Sequence, residues 1–229
     1  MTHGFMEKEE RRLWAVLNEC RLNFESKMLE AESKVSYEQY GQGGLVLHRG
    51  FYCPSLICDV VVGNCNRGRL RKTAPDNPDY IYGFNSTHQL VTVKKIVSCS
   101  IEEREFVFTD GQTEIGIGSP NNYNTSFTIS ECKYDGNRLL SYAFGFSSSL
   151  FPHMVELREE QYTYLENEMH VERYLFVPNS PPMVDKHYKY CFRVENGILA
   201  SYTEERYTGD SCKKDDRVFK ALKRRIPGY

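Results

Sequence analysis

Residues 133–146 read KYDGNRLLSYAFGF. Asp135, Gly136 and Asn137 supply turn chemistry between two runs rich in aromatic and aliphatic side chains, and this is the strongest local signal of a β-hairpin, since a tight two-residue turn calls for positive φ. The pattern recurs along the chain. Phe106 and Phe108 lead through Asp110-Gly111 to Ile115 and Ile117, Tyr162 and Tyr164 lead through Glu166 and Asn167 to Met169 and Val171, and Phe192 and Val194 lead through Asn196-Gly197 to Leu199 and Tyr202. A less regular copy joins Tyr82 and Phe84 to Leu90 and Val93. The returning aliphatics Leu90, Ile115, Leu139, Met169 and Leu199 fall about 25 to 30 residues apart, enough for one hairpin and its connection. Weaker copies centre on Leu45 and Leu70. The expectation is an extended antiparallel meander of repeated hairpins over residues 45–207.

Upstream the period changes. Leu13, Leu17, Cys20, Phe24, Met28, Ala31 and Val35 follow at spacings of three and four, with Glu and Arg between them, which predicts a long helix over residues 6–36. Its narrow apolar stripe suits a helix laid across a sheet, with a coiled-coil seam as the alternative. Gly41, Gly43 and Gly44 then break the pattern. Two proline-bearing segments, residues 73–79 and 178–182, read as loops between hairpins. From Asp215 to Ile226 acids precede bases, which suits the dipole of a short basic closing helix, expected over residues 213–226. The fold class is therefore mainly β (α+β), in a single domain over residues 1–229.

Composition excludes several classes. With 40% hydrophobic and 26% charged residues the chain is globular rather than disordered. Its 16 Tyr and 13 Phe against one Trp favour half-buried strand faces. A net charge of -2 gives no global field toward nucleic acid or an anionic membrane. The N-terminal residues turn charged before any signal-peptide core, so a cytosolic address is expected, and there the eight cysteines should be free thiols. Cys53, Cys58 and Cys65 are too loosely spaced for a zinc knuckle, so neither metal nor cofactor is expected.

No phosphate loop, nucleophile elbow or His-Glu-x-x-His motif is present, and the six histidines are scattered singly. Glu102, Glu103 and Glu105, and Glu204 with Glu205, read as solvated strand ends and edge charges. Recognition by a surface remains. Tyr80, Tyr82 and Phe84 share one strand face, as do Tyr162 and Tyr164, and Arg67, Arg69 and Arg71 alternate on another. These eight are the candidate binding residues, since Tyr offers wide contact area and a hydroxyl at small conformational cost. A second basic stretch begins at Lys213, but Asp215 and Asp216 dilute it, which counts against nucleic acid.

The units at residues 134–139 (YDGNRL) and 194–199 (VENGIL) resemble the Tyr-Asp hairpin units found around bacterial polymorphic toxins. A chain of this size, with one helix and a Tyr-rich meander, also resembles the immunity proteins that travel with those toxins. That resemblance implies a cytosolic bacterial inhibitor whose partner is a cognate toxin domain, covered at its active site; it carries over no functional residue. The alternatives are a small enzyme whose site forms only in three dimensions, and a nucleic-acid-binding protein.

Overall fold

The computed structural model describes residues 3–61, 66–120, 126–147, 154–177, 186–208 and 211–218. Two helices, α1 (His3–Leu22) and α2 (Phe24–Ser33), precede β1 (Tyr37–Gln42). After a long crossing segment come β2 (Arg69–Arg71), β3 (Tyr80–Phe84), β4 (Leu90–Val97), β5 (Ser100–Asp110) and β6 (Thr113–Pro120). Then follow β7 (Thr128–Asp135), β8 (Arg138–Ser147), β9 (Met154–Tyr164), β10 (Glu168–Phe176), β11 (Lys186–Glu195), β12 (Ile198–Thr208) and β13 (Ser211–Val218). All pair in one 13-stranded antiparallel sheet whose neighbours are consecutive from β13 to β3, after which β1 lies between β3 and β2.

The expected hairpin turns are present. Asp110 pairs with Thr113, Asp135 with Arg138 and Glu195 with Ile198, each enclosing two residues. Asn196 and Gly197 both take positive φ (53° and 74°). In the other two turns only the first central residue does, Gly111 at 60° and Gly136 at 56°. The units at 134 and 194 also share an irregularity that sequence alignment does not reveal. Tyr134 faces Leu139 but Lys133 faces Ser141, and likewise Val194 faces Leu199 while Arg193 faces Ser201. Leu140 and Ala200 are thus extra residues, and each bulge resets the in-out alternation. Leu139 and Tyr142, three apart, therefore enter one core, as do Leu199 and Tyr202.

One face of the sheet carries the helices. Leu13, Leu17, Cys20, Phe24, Met28 and Ala31 pack on Phe106, Ile117, Ile129, Leu157 and Phe176, so the apolar stripe meets the sheet of its own chain. Val35 lies beyond the helix end and is half-buried. The helix is not continuous: Asn23, with φ -120°, separates α1 from α2, in keeping with the ability of Asn to compete for backbone hydrogen bonds. Ion pairs fix the angle of docking, Arg12 with Glu131 at 2.7 Å, Arg104 with Glu25 at 2.5 Å and Lys94 with Glu32 at 2.7 Å.

Residues 45–61 cross the opposite face, through one 3₁₀ turn (Gly50–Tyr52) and the short helix α3 (Cys58–Val61). Leu56, Ile57 and Val60 seal a core with Tyr142, Tyr162, Val171 and Phe192. The expectation of a hairpin copy centred on Leu45 fails here: both faces of so wide a sheet need cover, and this segment supplies it for the second. Leu70 does lie on a strand, β2, but one that pairs with β1 rather than in a hairpin of its own. The closing helix expected over 213–226 is likewise corrected. Residues 211–218 form β13, because the ladder left open on β12 offers each backbone group a partner; residues 219–226 lie outside the described part, as does the loop expected at 178–182. Among the described residues, no helix is long and apolar enough to cross a membrane.

Leu17 is fully buried and Leu29, on the same helical pair, is 65% exposed. Leu17→Asp should lower unfolding stability by several kcal/mol, about the cost of placing a carboxylate in a hydrocarbon core, whereas Leu29→Asp should leave it nearly unchanged. Urea denaturation of both variants checks this, and a loss of dimer without a loss of stability in Leu17→Asp would instead identify a coiled coil.

Candidate ligand cavity

The crossing segment is held by side chains that project from the sheet. Arg49 and Gly50 are left-handed (φ 57° and 54°), and this kink turns the Arg49 side chain down onto the strands, where it is 1% exposed. Its Nε donates to Glu105 Oε1 at 2.9 Å, Nη1 to Glu114 Oε1 at 2.5 Å and Nη2 to Ser130 Oγ at 3.0 Å. Three successive strands, β5, β6 and β7, thereby converge on one guanidinium. The space exists because residue 116 is Gly: a Cβ there would lie 1.9 Å from Glu105 Oε1 and 2.1 Å from Arg49 Nη2.

Four of the aromatic candidate binding residues lie in the core rather than on a surface. Tyr80, Tyr82, Phe84 and Tyr162 are all buried. The tyrosines do bind, but to their own chain. Tyr80 donates to the Leu47 carbonyl at 3.1 Å, Tyr82 donates to the Arg49 carbonyl at 3.0 Å and accepts from Phe51 N at 3.0 Å, and Tyr162 accepts from Leu56 N at 3.1 Å. Arg67 completes the attachment. It bonds Asp59 Oδ1 at 2.8 Å and donates to the carbonyls of Cys53 and Ser55. Tyr164 is half-buried, its hydroxyl on the Leu139 carbonyl and its ring under Arg138. Arg69 and Arg71 are exposed on β2, at the sheet edge.

Between the segment and the sheet lies a cavity of about 450 Å³. Leu47, Val93, Phe144 and Phe146 give it apolar walls, and His48, Glu105, Glu160, Arg158 and Arg173 add polar groups. His48 Nδ1 is 3.0 Å from the Tyr142 hydroxyl, Nε2 is 3.3 Å from Glu105 Oε2, and the ring sits 4.6 Å from that of Phe144. Both imidazole nitrogens thus face protein groups. Burial pushes the Glu105 carboxyl up, but the charges of Arg49 and His48 outweigh it and hold the group at about 2.

Cys58 lies at the cavity wall, half-buried. A hydrogen bond from the Cys53 thiol stabilises its thiolate, and Arg173 and Arg158 add to this against burial and Glu160, so its pKa falls below the usual thiol range. Cys53, giving that hydrogen bond and fully buried, is pushed up.

Sequence reading did not assemble this site. Glu105 is no edge charge: it is 7% exposed in the middle of the sheet. Glu204 is also buried, paired with Arg206 at 2.9 Å, because β13 covers what would have been its edge. Glu102 and Glu103 do behave as expected, both pairing at the surface with Lys95. The one local signal was His48-Arg49-Gly50, whose glycine marks the kink. Six cysteines are described and all are free thiols, while Cys65 and the side chain of Cys212 lie outside the description. No protein-family model, curated protein or solved structure matches the chain.

Two consequences are measurable. Gly116→Ala should force the Arg49 cluster apart and cost about 3–5 kcal/mol, the usual penalty for breaking a buried ion pair, read as a fall in thermal midpoint. The pH profile tests Glu105. Its folded pKa, about 2, lies below the ordinary 4.5, so its stabilising contribution is complete above pH 4.5 and disappears as pH falls toward 2. Glu105→Gln should be less stable than the parent at pH 7, with the difference shrinking steadily across that acid window; a pH-independent difference would rule out the linkage.

Proposed function

We propose that the protein is a binding protein whose recognition element is the cavity beneath residues 45–58, and that its ligand is a compact molecule with an apolar, flat body and one anionic group. The observation that carries this reading is the half-open, mainly apolar space of about 450 Å³ with converging polar groups, a size typical of small-molecule sites. Its lining holds four cationic side chains, Arg49, Lys95, Arg158 and Arg173, against three carboxylates, Glu103, Glu105 and Glu160, while the Arg104 guanidinium is turned to Glu25 on the other face. Further carboxylates, such as Glu114 on Arg49 and Glu156 on Arg158, balance them from behind. Binding rather than turnover is supported by the tight hold of Arg49 on Glu105, which keeps that carboxylate from serving as a proton acceptor for a ligand.

A reading as an inhibitor of a toxin domain draws support from a different place, the exposed Arg69 and Arg71 at the sheet edge, with exposed Lys72 beside them. It loses Tyr80, Tyr82, Phe84 and Tyr162 as anchors, since their rings are spent on the core. Complex formation with the product of the adjacent gene, weakened by charge reversal at both arginines, is its test.

The cavity reading is tested with the fluorescent aromatic sulfonate 1-anilinonaphthalene-8-sulfonate. The folded protein should show a saturable site for it that Arg158→Met combined with Arg173→Met weakens about tenfold, the loss of one charge-assisted contact or more. The uncharged analogue N-phenyl-1-naphthylamine should bind both proteins alike. Equal sulfonate binding by parent and variant, or none by the parent, rejects the cavity as an anion-selective site.

A further inference from the structure

Away from the cavity, on the helix-bearing face of the sheet but beyond the helices, three side chains of different chemistry converge. Glu168 and His170 are two apart on β10 and so share a face, and the register of β10 with β11 sets Cys191 directly opposite His170. Tyr174 and Phe176, of the same parity, reach the helical core, whereas the side chains of His170 and Glu168 are 46% and 49% exposed. One atom from each residue meets the other two in a small triangle. His170 Nε2 lies 2.9 Å from Glu168 Oε2, Cys191 Sγ lies 3.3 Å from His170 Nε2, and Cys191 Sγ lies 3.6 Å from Glu168 Oε2.

We propose that Glu168, His170 and Cys191 form a zinc site with three protein ligands and a fourth position open to water. The geometry is that of a tetrahedral face. Bonds of about 2.3 Å to sulfur and about 2.0–2.2 Å to nitrogen and oxygen, at tetrahedral angles, separate the donor atoms by about 3.3–3.6 Å. The observed triangle, 2.9, 3.3 and 3.6 Å, therefore needs only its shortest side to open by a few tenths of an ångström, a movement open to exposed side chains. A mixed sulfur, nitrogen and oxygen set selects zinc over magnesium or calcium, which prefer oxygen alone. On metal entry Cys191 releases its thiol proton to solvent and binds as thiolate, the proton that His170 Nε2 shares with Glu168 leaves Nε2, the ring ending with its proton on Nδ1 and giving the Nε2 lone pair, and Glu168 binds as carboxylate. Arg193, across from Glu168 on β11, has its own carboxylate in Glu195 at 3.2 Å, which reduces its competition for Glu168.

The antiparallel ladder gives the site its rigidity. A neighbouring pair on the same strand, Glu172 with His187 at 3.3 Å and Lys189 at 3.4 Å, brings a cation where the site at 168–191 brings a thiol, and it carries no comparable ligand set.

The full chain, stripped of metal with a chelator and titrated with zinc by calorimetry and with cobalt by absorption, decides the matter. About one equivalent should bind, and the cobalt form should show both thiolate-to-metal charge transfer and the intense visible bands of tetrahedral coordination. Cys191→Ser should abolish the charge-transfer band, and His170→Ala should weaken zinc by at least about 100-fold, beyond the 10–100-fold typical of losing a mere supporting residue. Cys99→Ser, at an exposed thiol in the turn between β4 and β5, should change neither. All three replaced residues lie away from the folded core described above, and unchanged melting of the metal-free variants verifies that they fold. Absence of binding at micromolar zinc, or cobalt spectra that survive Cys191→Ser, overturns the site; magnesium should have no effect in any arm.

Discussion

The guanidinium of Arg49 sets the terms for one whole face of this sheet. Glu105 and Glu114 stand on neighbouring strands with their carboxylates turned to the same side, and Ser130 follows on the third. Removed from water without a cation, two such charges would cost far more than local packing could return. Arg49 meets both, and by doing so fastens the crossing segment to the strands at the point where its backbone kinks. Gly116 is what lets the guanidinium lie flat. The cavity is the space left beside this staple, and His48, adjacent in sequence, is positioned by it.

Tyrosine is abundant here for a reason other than surface recognition. Where residues 45–61 cover the sheet little is left to water, so an aromatic side chain there must carry its own polar partner inward. Tyr80, Tyr82 and Tyr162 put their rings among apolar neighbours and their hydroxyls on the backbone of residues 47–56. That segment has little regular hydrogen bonding of its own, so the sheet's hydroxyls supply what a helix or a ladder would otherwise provide. Each such contact joins core packing to the placement of the cavity roof.

The hairpin repeats are real in geometry as well as in sequence at two places, 134–142 and 194–202. Both units carry a bulge at the same position past the turn, and both use it to turn a leucine and a tyrosine three residues apart into the same core. Strict alternation would have placed one of each pair outside. A bulge also adds twist, which a sheet of this breadth needs.

The sequence by itself determined the elements whose signals are local: the apolar helical stripe from Leu13 to Ala31, the tight turns at Gly111, Gly136 and Asn196-Gly197, and hence an antiparallel meander behind helical cover. Such signals depend on neighbours a few residues away. What lay beyond them was decided by partners distant along the chain. Tyr80 and Tyr162 look alike whether they face solvent or a crossing segment, and only the path of residues 45–61 distinguishes the two. Glu105 reads as an edge charge until β4 and β6 flank its strand and Arg49 descends on it. The run that opens at Asp215 has the charge order of a closing helix, yet the ladder left open on β12 makes residues 211–218 a strand. Glu168, His170 and Cys191 become neighbours through the register of one hairpin, which a shift of a single residue would undo, because side-chain direction in a strand reverses at every step.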